Sequence, residues 1–191
     1  VYSWYRRRAA RRLAEVKAAK ERIESELRIA KDIQQSMVPH VFPERKELDL
    51  YASMAPAREV GGVLYDYIMD GDRLYFCVGD VSGKGVPAAL FMAQTIRLLR
   101  TFAKQGMMPD VIATRLNAEL TEGNDSGMFV TMFIGLLDLQ TGHLDFCNAG
   151  HNPPVLGGGD HQGSFRDVKS NAPIGLWPDL EYEGEQMENV K

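Results

Sequence analysis

The residue of this chain best suited to do chemistry is a carboxylate at the end of a buried strand. The segment Gly79–Pro87 has the sequence GDVSGKGVP, in which an apolar stretch delivers Asp80 and a glycine-rich turn follows it. Gly83 and Gly85 permit a tight turn, and a helix is predicted to begin near Pro87. An Asp at the mouth of such a turn suits a hard cation such as Mg²⁺ or Mn²⁺, and the backbone carbonyl of Val81 is in reach of the same ion.

The same turn also favours a bound phosphate. Free N–H groups at a helix start attract anions, and together with Lys84 they place Ser82, Gly83 and Gly85 in the vicinity of a phosphoryl group. A nucleotide-binding P-loop needs five steps between its glycines and a Ser or Thr after the Lys, whereas here Gly79 and Gly83 are four steps apart and Gly85 follows the Lys. A plain strand–turn–helix corner is the alternative without chemistry.

A second polar motif, NAGHNPP, runs from Asn148 to Pro154 and contains His151. A histidine there is suited to proton transfer or ligand binding. A lone His outside a Cys/His/Asp cluster more often shapes a turn, and oxygen-rich sites for hard cations do not require one. We therefore interpret His151 and Asn148 as turn-shaping, with a role in the site as the alternative.

Alternating and helical apolar patterns define the elements that must position these motifs. Apolar residues alternate with polar ones after Pro43, and an Asp-Gly-Asp hairpin turn stands at residues 70–72. Hairpins, then paired helices, then more hairpins predict an α+β fold with antiparallel sheets. The predicted strands cover residues 48–54, 63–68, 73–80, 129–139, 143–148, a short segment ending at 156, the region of 165 and 181–190, and the predicted helices cover 87–104 and 109–120.

A helical segment precedes this domain. Residues 4–38 contain neither Gly nor Pro and are rich in strong helix formers. The pattern is typical of a short two-stranded coiled coil, with one amphipathic helix packed on its own domain as the alternative. We predict a helical linker over 1–38 and a domain over 39–191. The heptad positions a are Leu13, Lys20, Leu27 and Gln34, and the positions d are Val16, Ile23, Ala30 and Met37.

Charge and composition limit the function classes. Residues 1–31 carry a net charge of +6 and the remainder −10, for −4 in total, which argues against a nucleic-acid-binding protein. The aromatic residues and arginines of segment 2–8 resemble the cytoplasmic end of a membrane helix, so an upstream membrane or sensor segment is expected, with a solvated basic helix as the alternative. Two isolated cysteines, Cys77 and Cys147, fit a reducing, cytoplasmic compartment.

Several motifs in order carry a resemblance to a known family. The chain resembles the SpoIIE/RsbU-type serine/threonine phosphatases, a branch of the metal-dependent, protein phosphatase 2C-like (PPM) superfamily. The matching blocks are AKDIQQSMVP at 30–39, EVGG at 59–62 with YDY at 65–67, the turn segment at 79–87, FVTMF at 129–133 and NAGHNPP at 148–154.

The resemblance implies a four-layer α/β–β/α sandwich of two antiparallel sheets flanked by helices, with two Mn²⁺ or Mg²⁺ ions between the sheets. It implies that a metal-bound water attacks a phosphoserine or phosphothreonine without a covalent nucleophile. Asp80 would then be the carboxylate that bridges both ions, with the carbonyl of Val81 beside it.

Two departures from the family pattern remove ligands from the implied metal site. The family has Asp directly after the Gly-Gly of this motif, where this chain has Val63. Asp66 lies on the opposite face of the predicted strand and would need a β-bulge to replace it. The family's later metal-binding aspartates do not appear before Lys191, so we expect the domain to continue further, and we expect no ion or one weakly bound ion in this chain, with little activity. Val63 is either natural or engineered, and the otherwise intact motif favours the second.

The resemblance also implies partners. The substrate would be a phosphorylated anti-sigma-factor antagonist of the STAS type, in a bacterial partner-switching pathway that regulates a sigma factor. A homodimer through the helical linker would transmit a signal from upstream by repositioning the helices that begin at Pro87. The alternative is a catalytically dead pseudophosphatase that acts as a dimeric scaffold or phosphoprotein-binding module.

Overall fold

A computed structural model describes residues 2–54, 61–158 and 161–190. The predicted mixed α+β class is confirmed, with a long N-terminal helix and two sheets in these ranges. Glu59 and Val60 of the EVGG block, and Gly159, lie outside the described residues. The elements are α1 Tyr2–Met37, β1 Val63–Asp70, β2 Arg73–Val81, α2 Val86–Lys104, α3 Pro109–Thr121, β3 Val130–Asp138, β4 Leu144–Ala149, β5 Val155–Gly158, β6 His161–Phe165, β7 Ser170–Asn171 and β8 Glu185–Met187.

Hairpin connections build most of the large sheet. Strands β1 to β4 lie side by side in chain order and pair antiparallel. Short turns join β1 to β2 and β3 to β4, whereas α2 and α3 lie between β2 and β3 in the chain. The predicted turn between β1 and β2 is confirmed, since Asp70 pairs with Arg73 across two loop residues and Gly71 has φ +61°. β7 then pairs parallel to β4 and β8 pairs antiparallel to it, while β5 and β6 form the second, two-stranded sheet.

Helices α2 and α3 cover one face of the large sheet. Both helices are buried along one stripe at helical spacing, which is the pattern expected of a helix lying on a sheet. Strand residues that alternate toward this stripe complete the core, because successive side chains of a strand point to opposite faces. The fully buried members include Leu64, Tyr75, Met92, Leu99, Ile112, Leu116, Met132 and Ile134.

The opposite face of the sheet is covered at one end and open at the other. Phe76, Phe133 and Phe146 stack across three strands, with ring centroids 6.2 and 5.4 Å apart, and the segment around β8 packs on them. Toward the other end of β1 and β2, Val63 is 45% exposed and Val78 is 41% exposed. This open face is where any site at the end of β2 meets its ligand.

The strand predicted over residues 48–54 is wrong. In the structure Leu48 forms one isolated bridge with Arg45, and residues 49–54 have no regular secondary structure. Residues 48, 50, 52 and 54 are more buried than their neighbours, so the alternation is real. Alternation reports which side of an extended chain faces the protein, and it does not supply a neighbouring strand for the backbone hydrogen bonds.

The strand predicted over 181–190 is much shorter, because β8 includes only Glu185–Met187. The backbone of Tyr182 is engaged elsewhere: its N–H donates to the hydroxyl of Thr114 on α3, at 3.0 Å. The predicted edge strand at Phe165 is confirmed as β6, and the two-residue strand β7 was not predicted.

The long helix α1 has an exposed part and a docked end. Leu13, Val16 and Ile23 of the heptad pattern are exposed within this chain, whereas Met37 packs against the core. Gln34, predicted at a seam position, is instead buried against the chain's own domain, so the packed-helix alternative holds for the last turn. Across the part of the chain that the structure describes, no helix combines the length and apolarity that crossing a membrane requires.

A histidine joins the β3–β4 turn to the C-terminal segment. The Nδ1 atom of His143 lies 2.7 Å from the Glu188 carboxylate and Nε2 lies 3.3 Å from that of Asp145. The hydrogen bond to Glu188 has the largest effect and raises the pKa of His143. Burial opposes it with the next largest effect, and the charge of Asp145 raises the pKa further.

We expect this contact to make stability depend on pH. Because the folded pKa of His143 is raised, its stabilisation is complete below the unfolded value of about 6.5 and is lost as pH rises through the folded pKa. Urea unfolding of the wild-type chain and of His143→Gln should therefore differ more at about pH 5.5 than at about pH 8.5. An equal difference at both pH values would contradict the prediction.

Candidate functional site

Asp80 lies on the open face at the end of the sheet. In the register of the sheet it pairs with Val63 on β1 and with Thr131 on β3. Paired residues of antiparallel strands share a face, so these three side chains lie side by side. Asp80 is exposed, with Val63 as its direct cross-strand neighbour on this face.

The glycine turn after β2 is built as the sequence suggests. Gly83 has φ +82° and Gly85 has φ +78°, which are left-handed conformations that L side chains rarely adopt. Gly85 precedes α2 without a side-chain cap, so the first N–H groups of that helix stay available to an anion. Lys84 is exposed between the two glycines.

Ser82 has a structural partner. Its N–H donates to the carbonyl of Phe129 at 2.8 Å, and its hydroxyl accepts the N–H of Phe129 at 3.0 Å. This double contact holds the turn after β2 against the start of β3. The hydroxyl of Ser82 therefore stabilises the turn. Of the residues predicted to lie near a phosphate, those nearest the start of α2 are Gly83, Lys84 and Gly85.

The backbone of Val81 is in direct contact with the Gly61–Gly62 segment. The N–H of Val81 donates to the carbonyl of Gly62 at 3.1 Å. A Cβ atom on Gly62 would lie 2.7 Å from the carbonyl oxygen of Val81, so only glycine fits there. The Val81 side chain is buried on the helix-covered face, which leaves its carbonyl as the group that residue 81 can offer a ligand.

The NAGHNPP motif brings His151 to the same end of the sheet. Asn148 is buried and holds the turn, accepting the N–H of His151 at 2.9 Å and donating to its carbonyl at 3.0 Å. The Nδ1 atom of His151 is 3.1 Å from the hydroxyl of Thr131, which also donates to the carbonyl of Asp80 at 3.3 Å. Asn148 is therefore turn-shaping, and it fixes His151 beside Asp80.

Burial lowers the pKa of His151, and the charge of Asp80 opposes that shift only in part. The imidazole is consequently neutral at pH 7 and able to accept a proton or a hydrogen bond. Thr131 links the two groups and was missed by sequence reasoning. The feature of the sequence that could have indicated Thr131 is a hydroxyl residue within the otherwise apolar run of β3. The register of the sheet then places it directly opposite Asp80.

Asp66 does not replace the missing carboxylate. β1 pairs with β2 without a bulge from Val63 to Asp70, so Asp66 points to the helix-covered face as its spacing predicts. There its side chain is 1% exposed, and its carboxylate receives two hydrogen bonds from the guanidinium of Arg100, at 2.6 and 3.1 Å. The β-bulge that a replacement of the missing ligand by Asp66 would require is absent from β1, and the carboxylate is already paired with Arg100.

The donor set at Asp80 does not fit two divalent ions. Asp80 provides one carboxylate and Val81 one carbonyl, whereas Val63 provides no oxygen atom at all. Among residues 2–54, 61–158 and 161–190, no group of three or more His, Cys, Asp or Glu side chains is arranged to hold a metal ion. Mg²⁺ and Mn²⁺ need several oxygen ligands, so these residues fit at most one weakly held ion.

Known proteins share this sequence and fold. The chain is 27% identical over 168 residues to phosphoserine phosphatase RsbU of Bacillus subtilis, covering 87% of this chain and 50% of that protein. It is 33% identical over 193 residues to protein IcfG of Synechocystis, covering 86% of this chain and 30% of that protein. The crystal structure of the RsbU and RsbW domains of Rv1364c from Mycobacterium tuberculosis matches with a TM-score of 0.61 and 29% identity, over 68% of this chain and 36% of that one.

The chain thus spans half or less of the length of these relatives. The family model for stage II sporulation protein E matches residues 70–189, which include β2, the glycine turn, both domain helices and the NAGHNPP motif. With the Asp80 turn placed on the open end of an α+β sheet, as described above, this match shows that the chain belongs to the SpoIIE family.

Proposed function

We propose that this chain is part of a bacterial signalling phosphatase that removes phosphate from phosphoserine or phosphothreonine of a partner protein. The observation that carries the proposal is the position of Asp80, exposed at the end of β2 beside a glycine turn and a helix start, in a member of the SpoIIE family. The name of the Bacillus relative, phosphoserine phosphatase RsbU, supports the reaction class.

The residues of this chain have separable roles in that proposal. The turn from Gly83 to Gly85 and the first N–H groups of α2 would receive the phosphoryl group. His151, neutral and fixed by Asn148, is placed to orient a water or the leaving hydroxyl through hydrogen bonds. Mn²⁺ or Mg²⁺ would supply charge stabilisation in a complete site, and Asp80 with the Val81 carbonyl is the part of that site which this chain contributes.

We further propose a phosphorylated STAS-type anti-sigma-factor antagonist as the substrate, in a partner-switching pathway of the cytoplasm. Support comes from the similarity to RsbU and to the RsbU domain of Rv1364c. A phosphoprotein substrate also suits the open face, because Asp80 and Val63 are exposed there and accessible to a protein surface.

A homodimer through α1 is the proposed quaternary arrangement. The exposed heptad residues Leu13, Val16 and Ile23 lie on the part of α1 that extends from the domain. A two-stranded coil would bury them, and it would connect the domain to an upstream sensor or membrane-anchored segment.

A catalytically dead phosphoprotein-binding module is the second candidate. Val63 and the small donor set favour it specifically, because such a site keeps the phosphate-binding turn while lacking the ligands for two ions. A neutral side chain in place of a carboxylate also lowers the repulsion between carboxylates that no metal compensates.

Phosphate release from a phosphorylated STAS-type protein separates the two candidates. We expect the full-length natural protein, with Mn²⁺, to release phosphate, and we expect Asp80→Asn to lower the rate by at least about 100-fold because a principal ligand charge is lost. Binding of the phosphorylated protein, with no more phosphate released by the wild type than by Asp80→Asn, would instead establish the binding module.

A further inference from the structure

A buried glutamine connects the end of α1 to the segment that precedes Val63. Gln34 is only 5% exposed, although it belongs to a helix whose earlier turns face solvent. Its side-chain N–H group donates to the carbonyl of Gly61, and its side-chain oxygen accepts the N–H of Gly61 at 3.2 Å. One amide side chain therefore satisfies both polar groups of one residue that lies 27 positions away.

A weaker contact accompanies the pairing of Gln34 with Gly61. The same nitrogen of Gln34 lies 2.9 Å from the sulfur of Met92, a fully buried residue of α2, and sulfur is a weak acceptor. A buried amide without its partners would be costly, so the pairing with Gly61 is what makes a glutamine tolerable at this position.

Gly61 is followed directly by residues that contact the candidate site. Gly62, the next residue, accepts the N–H of Val81 at 3.1 Å and packs so closely on Val81 that a Cβ atom would lie 2.6 Å from the Val81 Cβ. Val63 follows and pairs with Asp80. Only Gly62 thus separates the partner of Gln34 from the residue opposite the candidate metal ligand.

The last turn of α1 is itself held in place. The guanidinium of Arg100 donates to the carbonyl of Met37 at 2.8 Å, while its other N–H groups bind the buried carboxylate of Asp66. Because the end of α1 is docked in this way, a shift of α1 must either break the Gln34–Gly61 contact or move Gly61 with it.

We propose that Gln34 is a positioning residue that couples the end of α1 to the Val63–Asp80 end of the sheet, by fixing Gly61 and through it Gly62 and Val81. Its importance for a reaction rests on the proposed function, but the coupling is a property of this chain alone. In a purely structural role Gln34 would stabilise the whole domain; as a positioning residue it controls the local order of one segment.

Amide hydrogen exchange of the whole chain, followed residue by residue by NMR, distinguishes these roles. Gln34→Met keeps the length of the side chain and removes both hydrogen bonds to Gly61. We expect exchange at Gly61 and Val81 to become at least about tenfold faster, with exchange in α3, β3 and β4 unchanged. The neighbouring Gln35→Met is the matched control and should leave Gly61 and Val81 at their wild-type rates.

A second variant disrupts the connection between Gly61 and Val81 at Gly62. Gly62→Ala forces a Cβ atom against the Val81 backbone, so it should speed exchange at Val81 without touching Gln34. Combined with Gln34→Met, its effect on Val81 should be clearly less than additive, because both changes disrupt one connection. Unchanged exchange at Gly61 and Val81 in Gln34→Met, equal acceleration throughout the domain, or additive effects in the double variant would overturn the proposal. None of these measurements uses metal or substrate, so they stay decisive even where no phosphatase activity is found.

Discussion

Replacement of Val63 by aspartate is expected to raise the affinity of this chain for Mn²⁺ by at least about tenfold. Val63 pairs directly with Asp80 on the open face of the sheet, so the new carboxylate would lie beside the existing one. Two adjacent carboxylates repel each other in the absence of a cation and bind it jointly when it is present. Isothermal titration calorimetry with Mn²⁺ measures the change directly.

The same replacement should lower stability when no metal is present, because the two carboxylates repel each other. Mn²⁺ should restore it, so the unfolding midpoint of Val63→Asp should depend on Mn²⁺ more than that of the wild-type chain. Val155→Asp is a matched control, since Val155 is an exposed strand valine on β5. Equal Mn²⁺ affinities for the two variants would eliminate position 63 as that of a missing ligand.

Replacement of Arg100 by methionine is expected to destabilise the domain by about 2–4 kcal/mol. Asp66 would keep its charge in a buried position without the guanidinium that now binds both of its oxygens. Arg100 is 37% exposed, so water would relieve part of this cost, and the lower end of the range allows for that. The carbonyl of Met37 also loses its donor, which loosens the end of α1.

Urea unfolding of Arg100→Met checks this result. Arg97→Met, an exposed arginine one turn earlier on α2, should change stability by less than about 0.5 kcal/mol. The double variant Asp66→Leu with Arg100→Met should recover most of the loss, since an apolar pair leaves no unpaired charge. A loss of the same size in Arg97→Met would contradict the explanation.

The sequence determined the local features of the site, because those depend on residue types and short spacings. Asp80 at the end of a strand, glycines at positive φ in the turn after it and a helix that begins at the following Val-Pro all depend on neighbours within a few residues. The opposite faces of Val63 and Asp66 likewise follow from the two-residue period of a strand, provided that the strand has no bulge.

Only the tertiary structure decided which distant groups meet. Gln34 fits a heptad as well as it fits a buried contact, and the pattern carries no information about the peptide of Gly61 that accepts it. The sequence likewise does not indicate that Thr131 lies between Asp80 and His151. Nor does it indicate that residues 49–54, despite their alternating pattern, pair with no other strand. Which residues are buried follows from the local spacing of apolar residues. Which groups far apart in sequence form hydrogen bonds depends on how the whole sheet and its helices pack together.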